Sequence, residues 1–182
     1  MTDWPQLVQE HGPMVWRTTY RLLNNEADAA DCFQRTFVAA LELARTQTVR
    51  NWPAFLNRLA TLRALECLRQ KRRDARRHIS LSEGAPADAR AINPLQAAET
   101  GELAEHLRQA LAELDQRQAQ VFCLACLEDL SYRQIAAQLG LSVSHVGVLL
   151  NRARACLRNL LEAYRWYPAP SAWEERSSHE CG

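Results

Sequence analysis

The sequence predicts an all-α protein of two helical domains joined by a flexible linker, the second containing a helix-turn-helix. Three observations predict it. Apolar residues recur at helical spacing nearly everywhere and no stretch alternates with period two for long. A segment with two prolines and no sustained period divides the chain near its middle. The stretch "LSYRQIAAQLGLSVSHVGVLLNRARACLR", residues 130 to 158, has the punctuation of two short helices meeting at a tight turn. The expected boundaries are 1–77 for the first domain, 78–101 for the linker, 102–164 for the second domain and 165–182 for a C-terminal tail.

In the first domain Leu7, Val8, His11, Val15, Thr18 and Leu22 make one helical face. Pro13 is placed where a helix restarts, because the first turn leaves unused the donor that proline lacks. Asn25 suits the N-cap of a second helix. On it Ala30, Phe33, Phe37, Leu41 and Ala44 are expected to face the core, and Asp28, Asp31, Arg35 and Glu42 the solvent. A third helix begins near Pro53, turns Leu56, Leu59, Ala60, Ala64 and Leu68 inward and ends in a basic run.

The linker "HISLSEGAPADARAINPLQAAETG" leads to the second domain, which opens on Leu103, Leu107, Ala110, Leu111 and Leu114. Ser131 followed by Gln134 is a capping-box pattern. Ile135, Ala136 and Leu139 point inward from the helix that follows, Gly140 supplies the turn, Leu141 seals it, and Ser142 caps a helix whose Val146 and Leu150 pack back. The tail "RWYPAPSAWEERSSHECG" is assigned no fold.

Composition narrows the function. With 47% apolar residues in 182, the chain fills the cores of one or two small domains. No apolar run approaches a membrane span, and the N-terminus lacks a basic start followed by an apolar stretch, so a cytoplasmic protein without membrane insertion is expected. The six cysteines are scattered through helical segments, as reduced thiols are. Cys123 and Cys126 form a lone C-x-x-C inside an apolar helix, and His179 with Cys181 offers only two ligands, so neither a metal nor a cofactor is expected. There is no Gly-rich phosphate loop, no H-E-x-x-H and no Ser, His and Asp set, so the chain does not read as an enzyme.

The net charge of +1 is unevenly spread. Arg58, Arg63, Arg69, Lys71, Arg72, Arg73, Arg76 and Arg77 crowd one segment and suit a polyanion, whereas acidic residues prevail in the first 44 and suit a basic partner. The second helix of the helix-turn-helix presents Ser142, Ser144, His145, Gly147, Val148 and Asn151 to a major groove. Serine reads bases ambiguously, Asn151 can pair with adenine, Val148 can touch a thymine methyl, and the usual guanine readers are missing. Arg133, Arg152, Arg154 and Arg158 are the expected phosphate anchors. Base specificity from this helix should be modest and its affinity salt-sensitive.

The two halves together resemble the extracytoplasmic-function group of bacterial sigma factors in the sigma-70 superfamily. "NNEADAADCFQRTFVAAL" is similar to the family's acidic D-A-x-D-x-x-Q-x-x-F segment, and "WPAFLNRLATLRALECLRQKRR" to its −10 helix. "ALAELDQRQAQVFCLACLEDLSYRQIAAQLGLSVSHVGVLLNRARACLR" follows its L-P-x-x-x-R-x-V-x-x-L, E-I-A and T-V-x-x-x-L-x-R-A-R pattern. The resemblance implies core RNA polymerase and promoter DNA as partners and leaves open an anti-sigma factor as a third. It assigns polymerase binding to Asp28, Asp31 and Gln34. It assigns capture of an unstacked −10 base to the loop carrying Arg45, Arg50, Asn51 and Trp52, the duplex edge of that element to Phe55, Arg58, Arg63 and Arg69, and the −35 element to the helix-turn-helix. Core packing remains an equal reading of Phe55. Leu62, Glu66, Asp115, His145 and Gly147 depart from the family pattern. A stand-alone DNA-binding regulator or adaptor on the same fold is the alternative.

Overall fold

The computed structural model describes residues 2–81 and 97–162, with side chains over 2–77 and 101–162. The described residues form α1 (Trp4–Leu23), α2 (Glu26–Ala44), α3 (Trp52–Leu81), α4 (Ala97–Glu113), α5 (Gln116–Cys126), α6 (Tyr132–Leu139) and α7 (Val143–Glu162), with no strand among them. The all-α expectation holds. Helix occupies both ends of the expected linker, since α3 runs to Leu81 and α4 starts at Ala97. The segment holding Pro86 and Pro94, and the tail, lie outside the described residues.

Local chemistry sets the helix ends. Asp3 caps α1 by accepting from the Gln6 amide, and Asn25 caps α2 by accepting from that of Asp28. Between the two helices Asn24 takes φ 49°, a left-handed C-cap that asparagine tolerates better than most residues. Pro13 does not restart a helix but lies inside α1, which is continuous. Buried residues on both sides of it, Leu7 below and Val15, Thr18 and Leu22 above, hold the two segments in one line. Their packing offsets a penalty of ~3 kcal/mol for an interior proline.

The inward face of α2 differs from the expected one. Ala29, Cys32, Thr36, Ala39 and Ala40 are buried, Phe33 and Phe37 lie at the margin, and Leu41 is 44% exposed. Small side chains let α2 lie close to α1 and α3, while the two rings, too large for that contact, cover its edge beside Trp16 and Trp52. Val8, expected inward on α1, is also partly exposed. On α3 the expected Leu56, Leu59, Ala60, Ala64 and Leu68 are all buried.

The two halves are not held apart on a tether. Leu22, Leu23, Cys32, Ala64, Leu65 and Leu68 of the first half share one apolar cluster with Ala110, Leu111, Leu114 and the core of α5, α6 and α7. A second cluster around Val15, Ala40, Leu56 and Leu59 lies wholly within the first half. Thus α3 is common to both cores.

Candidate nucleic-acid interface

At the C-terminal end of the chain the helix-turn-helix forms as its residues demand. Ser131 and Gln134 make a full capping box at the start of α6. Gly140 closes that helix at φ 66°, in the left-handed region where a side chain would strain the backbone. Ser142 then caps α7 through a 3.2 Å bond from the His145 amide to its Oγ. Ile135, Ala136, Val146 and Leu150 bury the inner faces. Outward, Ser142, Ser144, His145, Val148, Asn151 and Arg152 are exposed along one side of α7, and Arg133 is exposed on α6. Ser142 and Ser144 hydroxyls lie 3.1 Å apart. Arg154 stands off this face: two residues on from Arg152 it is turned by about 200°, and its half-buried guanidinium bonds the Cys126 thiol at the end of α5.

At the other end, Asn51 starts α3. Its Oδ1 accepts from the Ala54 amide at 3.1 Å, and its exposed amide nitrogen keeps two donors for a ligand. Trp52 is half-buried between Trp4 and Phe55, with ring centroids at 5.5 and 5.9 Å and interplanar angles of 79° and 83°. Phe55 packs on the inner cluster and carries the Arg58 guanidinium 5.5 Å from its ring centre. Trp52 borders an open cavity of about 370 Å³ lined also by Thr2, Ala44, Arg45, Thr46, Gln47, Thr48 and Val49. Thus Arg45 and Trp52 meet at one recess, while Arg50 is exposed beside it.

The other expected −10 residues are spread along α3. Arg63 donates through Nη1 to Glu66 at 2.8 Å, while its Nε has no hydrogen-bond partner. Arg69 lies about 25 Å along the helix axis from Trp52 and donates to the Leu114 carbonyl of the second half at 3.2 Å. On α2, Asp31 pairs with Arg35 at 2.9 Å, Asp28 pairs with Lys71 across to α3, and Gln34 is exposed. Val38 and Leu41, exposed by 54% and 44%, continue the line of Asp31 and Gln34. Reading by periodicity missed Val38 and placed Leu41 in the core.

Two further sets went unread. Glu128 accepts from Thr18 and Asn57, and Arg72 pairs with Glu113. These partners are dozens of residues apart, and nothing in local spacing signals them.

Family comparison decides what these surfaces belong to. The model for Sigma-70 region 2 matches residues 7–74 and that for Sigma-70 region 4 matches 104–157, together more than half of the chain. The chain is 30% identical over 177 residues to the ECF RNA polymerase sigma factor SigE of Mycolicibacterium smegmatis, covering 94% of this chain and 66% of that protein. The chain belongs to the extracytoplasmic-function group of the sigma-70 family. This sigma factor is also 25% identical over 162 residues to the ECF RNA polymerase sigma factor SigW of Bacillus subtilis, covering 85% of the chain and 87% of the relative. Its fold is shared with CnrH, solved with the cytosolic domain of CnrY, at 28% identity and TM-score 0.53 over 88% of each chain. It is shared also with RpoE of Bartonella quintana, solved with the anti-sigma factor NepR, at 22% identity and TM-score 0.50 over 89% of this chain and 98% of that one. The match to region 2 covers α1 to α3 and the match to region 4 covers the helix-turn-helix, so the recess and the reading face lie in separate units of the sigma factor. Among the described residues of this sigma factor no helix is long and apolar enough to cross a membrane.

Proposed function

We propose that this chain binds core RNA polymerase in the cytoplasm and directs it to specific promoters, its first unit reading the −10 element and its second the −35 element. The observation that carries the reading is the presence, in one chain and in order, of a region 2 unit and a region 4 helix-turn-helix with its reading face exposed. A stand-alone regulator or adaptor has no use for the region 2 unit, and that alternative is not favoured.

Asp31, Gln34, Val38 and Leu41 form the surface offered to the polymerase, with Asp28 at its edge. Lys71 and Arg35 hold the two carboxylates until a basic partner surface replaces them. The recess between Arg45 and Trp52 takes one unstacked base of the −10 element, with Trp52 as its platform and Arg45, Arg50 and the Asn51 amide nitrogen as donors. On α7, Val148, Asn151 and His145 meet base edges, while Ser144 and Arg152 of that helix, its cap Ser142 and Arg133 of α6 meet the backbone. Two weak readers held on one enzyme gain effective concentration, so the −35 helix need not bind tightly by itself. An anti-sigma factor is a further partner, by analogy with the NepR complex.

Co-elution with purified core RNA polymerase tests the reading. The native protein should co-elute and an Asp28→Arg, Asp31→Arg double variant of equal helicity should not. Failure of the folded native chain to bind core would overturn the proposal.

A further inference from the structure

Two cysteines meet where α2 packs on α3. Cys32 is buried on α2 and Cys67 is half-buried on α3. The Cys32 thiol reaches the Arg63 carbonyl at 3.6 Å and hydrogen-bonds the Cys67 thiol one turn further along α3. One turn back along α2 and one turn on along α3, Asp28 pairs with Lys71. The two helices therefore run antiparallel, with Cys32 facing Cys67 on one rung and Asp28 facing Lys71 on the next. Small buried residues line both helices here, Ala29 and Thr36 on α2 and Ala60 and Ala64 on α3. They let the backbones approach closely, as a disulfide requires, its Cα atoms lying about 5.5–6 Å apart.

The two thiols differ in access. Burial, and then the neighbouring thiol, pushes Cys32 up to about 12. Burial, and then Asp28, also raises Cys67, but Lys71 and the hydrogen bond from Cys32 work the other way and favour its thiolate. Cys67 is thus the sulfur that an oxidant meets first, and Cys32 the one placed to resolve it. Raised thiols react slowly, so the pair answers sustained oxidant rather than a brief pulse.

We propose that Cys32 and Cys67 are a redox modification site: a hydroperoxide joins them in a disulfide that staples α2 to α3 and holds Asp28 on Lys71, away from the polymerase. The Cys67 thiolate attacks one oxygen of hydrogen peroxide, the O–O bond breaks, and Cys67 becomes a sulfenic acid while the departing oxygen leaves as water. The Cys32 sulfur then displaces the sulfenic oxygen, which takes up the Cys32 proton and leaves as a second water. The two sulfurs lose two electrons and the peroxide gains them. A thiol reductant reverses the bond by exchange. An ion pair as exposed as Asp28 with Lys71 is weak by itself. Fixing the adjacent rung keeps its partners together, as a tether raises effective concentration. The coupling to polymerase rests on the Asp28 surface proposed above.

The test treats the reduced full chain with hydrogen peroxide and blocks the remaining thiols with N-ethylmaleimide. Peptide mass spectrometry then maps the disulfides, and affinity for purified core RNA polymerase is measured before and after. The expected product is a Cys32–Cys67 disulfide, reversed by dithiothreitol, with core affinity about threefold lower while it lasts. Cys67→Ser should form no such bond and keep its affinity after peroxide. Cys126→Ser, which removes the exposed thiol of α5, should respond as the native chain does. Oxidation of Cys126 without a Cys32–Cys67 bond would overturn the site. The disulfide with unchanged core affinity would overturn the switch and leave the polymerase reading intact. Failure of the reduced chain to bind core would overturn that reading and the coupling with it, while the disulfide map still decides the site. If circular dichroism shows that Cys67→Ser loses helicity, Cys32→Ala takes its place with the same expected result.

Discussion

Trp4 and Trp52 meet edge to face, with ring centroids 5.5 Å apart at 79°. A residue at the first turn of α1 thus steadies the ring that borders the recess at the start of α3. Offset and edge-on ring pairs contribute ~1 kcal/mol beyond the area they bury. The position of Trp52 is therefore set by a residue 48 positions away in the chain.

Replacing Trp4→Ala should lower stability by about 2 kcal/mol, less than for a fully buried tryptophan because Trp4 is only partly covered. It should also free the Trp52 ring. The checks are urea unfolding and binding of a single-stranded −10 oligonucleotide. A loss of stability with unchanged oligonucleotide affinity would mean that Trp52 is held by Phe55 alone.

Thr61 is fully buried on α3 and its hydroxyl has no hydrogen-bond partner. A buried unpaired hydroxyl costs about 1–3 kcal/mol, and valine has nearly its shape. Thr61→Val should therefore stabilise the protein by about 1 kcal/mol, read as a higher urea midpoint at unchanged slope. A loss of stability would mean that the hydroxyl bonds a group that the structure leaves unpaired.

Much of this architecture was legible because it depends on near neighbours. The caps at Asn25, Ser131 and Ser142 and the turn at Gly140 rest on bonds spanning three or four residues, which spacing alone displays. The inward face of α2 was misread because hydrophobicity weights Phe33, Phe37 and Leu41 over Cys32, Thr36 and Ala40. Close helix packing selects for size, and the small residues took the interior. The recess was legible only through family resemblance, since its walls are a polar loop without periodicity. The closure of the two halves was not legible at all: Glu128 finds Asn57 across 71 residues and Thr18 across 110, and each is an ordinary polar residue in its own segment.

Gly147 sits in the interior of α7, where glycine costs roughly 1 kcal/mol against alanine. A Cβ at this position would meet Tyr132 Cε2 at 3.8 Å, an ordinary contact, and no positive φ is recorded there. Gly147→Ala should thus raise stability by about 0.5–1 kcal/mol without displacing α6, with a matching rise in thermal midpoint. A fall would show that the glycine is needed for an approach of backbone closer than the described residues make.

Cys32 is 2% exposed, and its thiol is pushed up to about 12 from an ordinary 9.0, first by burial and then by the neighbouring Cys67 thiol. The charged form is the one disfavoured by folding, so the folded state keeps a proton that the unfolded state gives up. Stability from this group is whole below about pH 9 and is lost as pH rises toward about 12, at a slope near 1.4 kcal/mol per pH unit for one thiol. Cys67 is raised as well, mainly by burial, and adds loss in the same direction. Urea unfolding at a series of alkaline pH values should show Cys32→Ala less stable than the native chain at pH 8 but with a shallower decline above pH 9. Parallel declines would assign the alkaline loss to other groups and place the Cys32 thiol nearer to water than its burial implies. The same burial should make this thiol slow toward thiol reagents at neutral pH, because the thiolate is the reactive form.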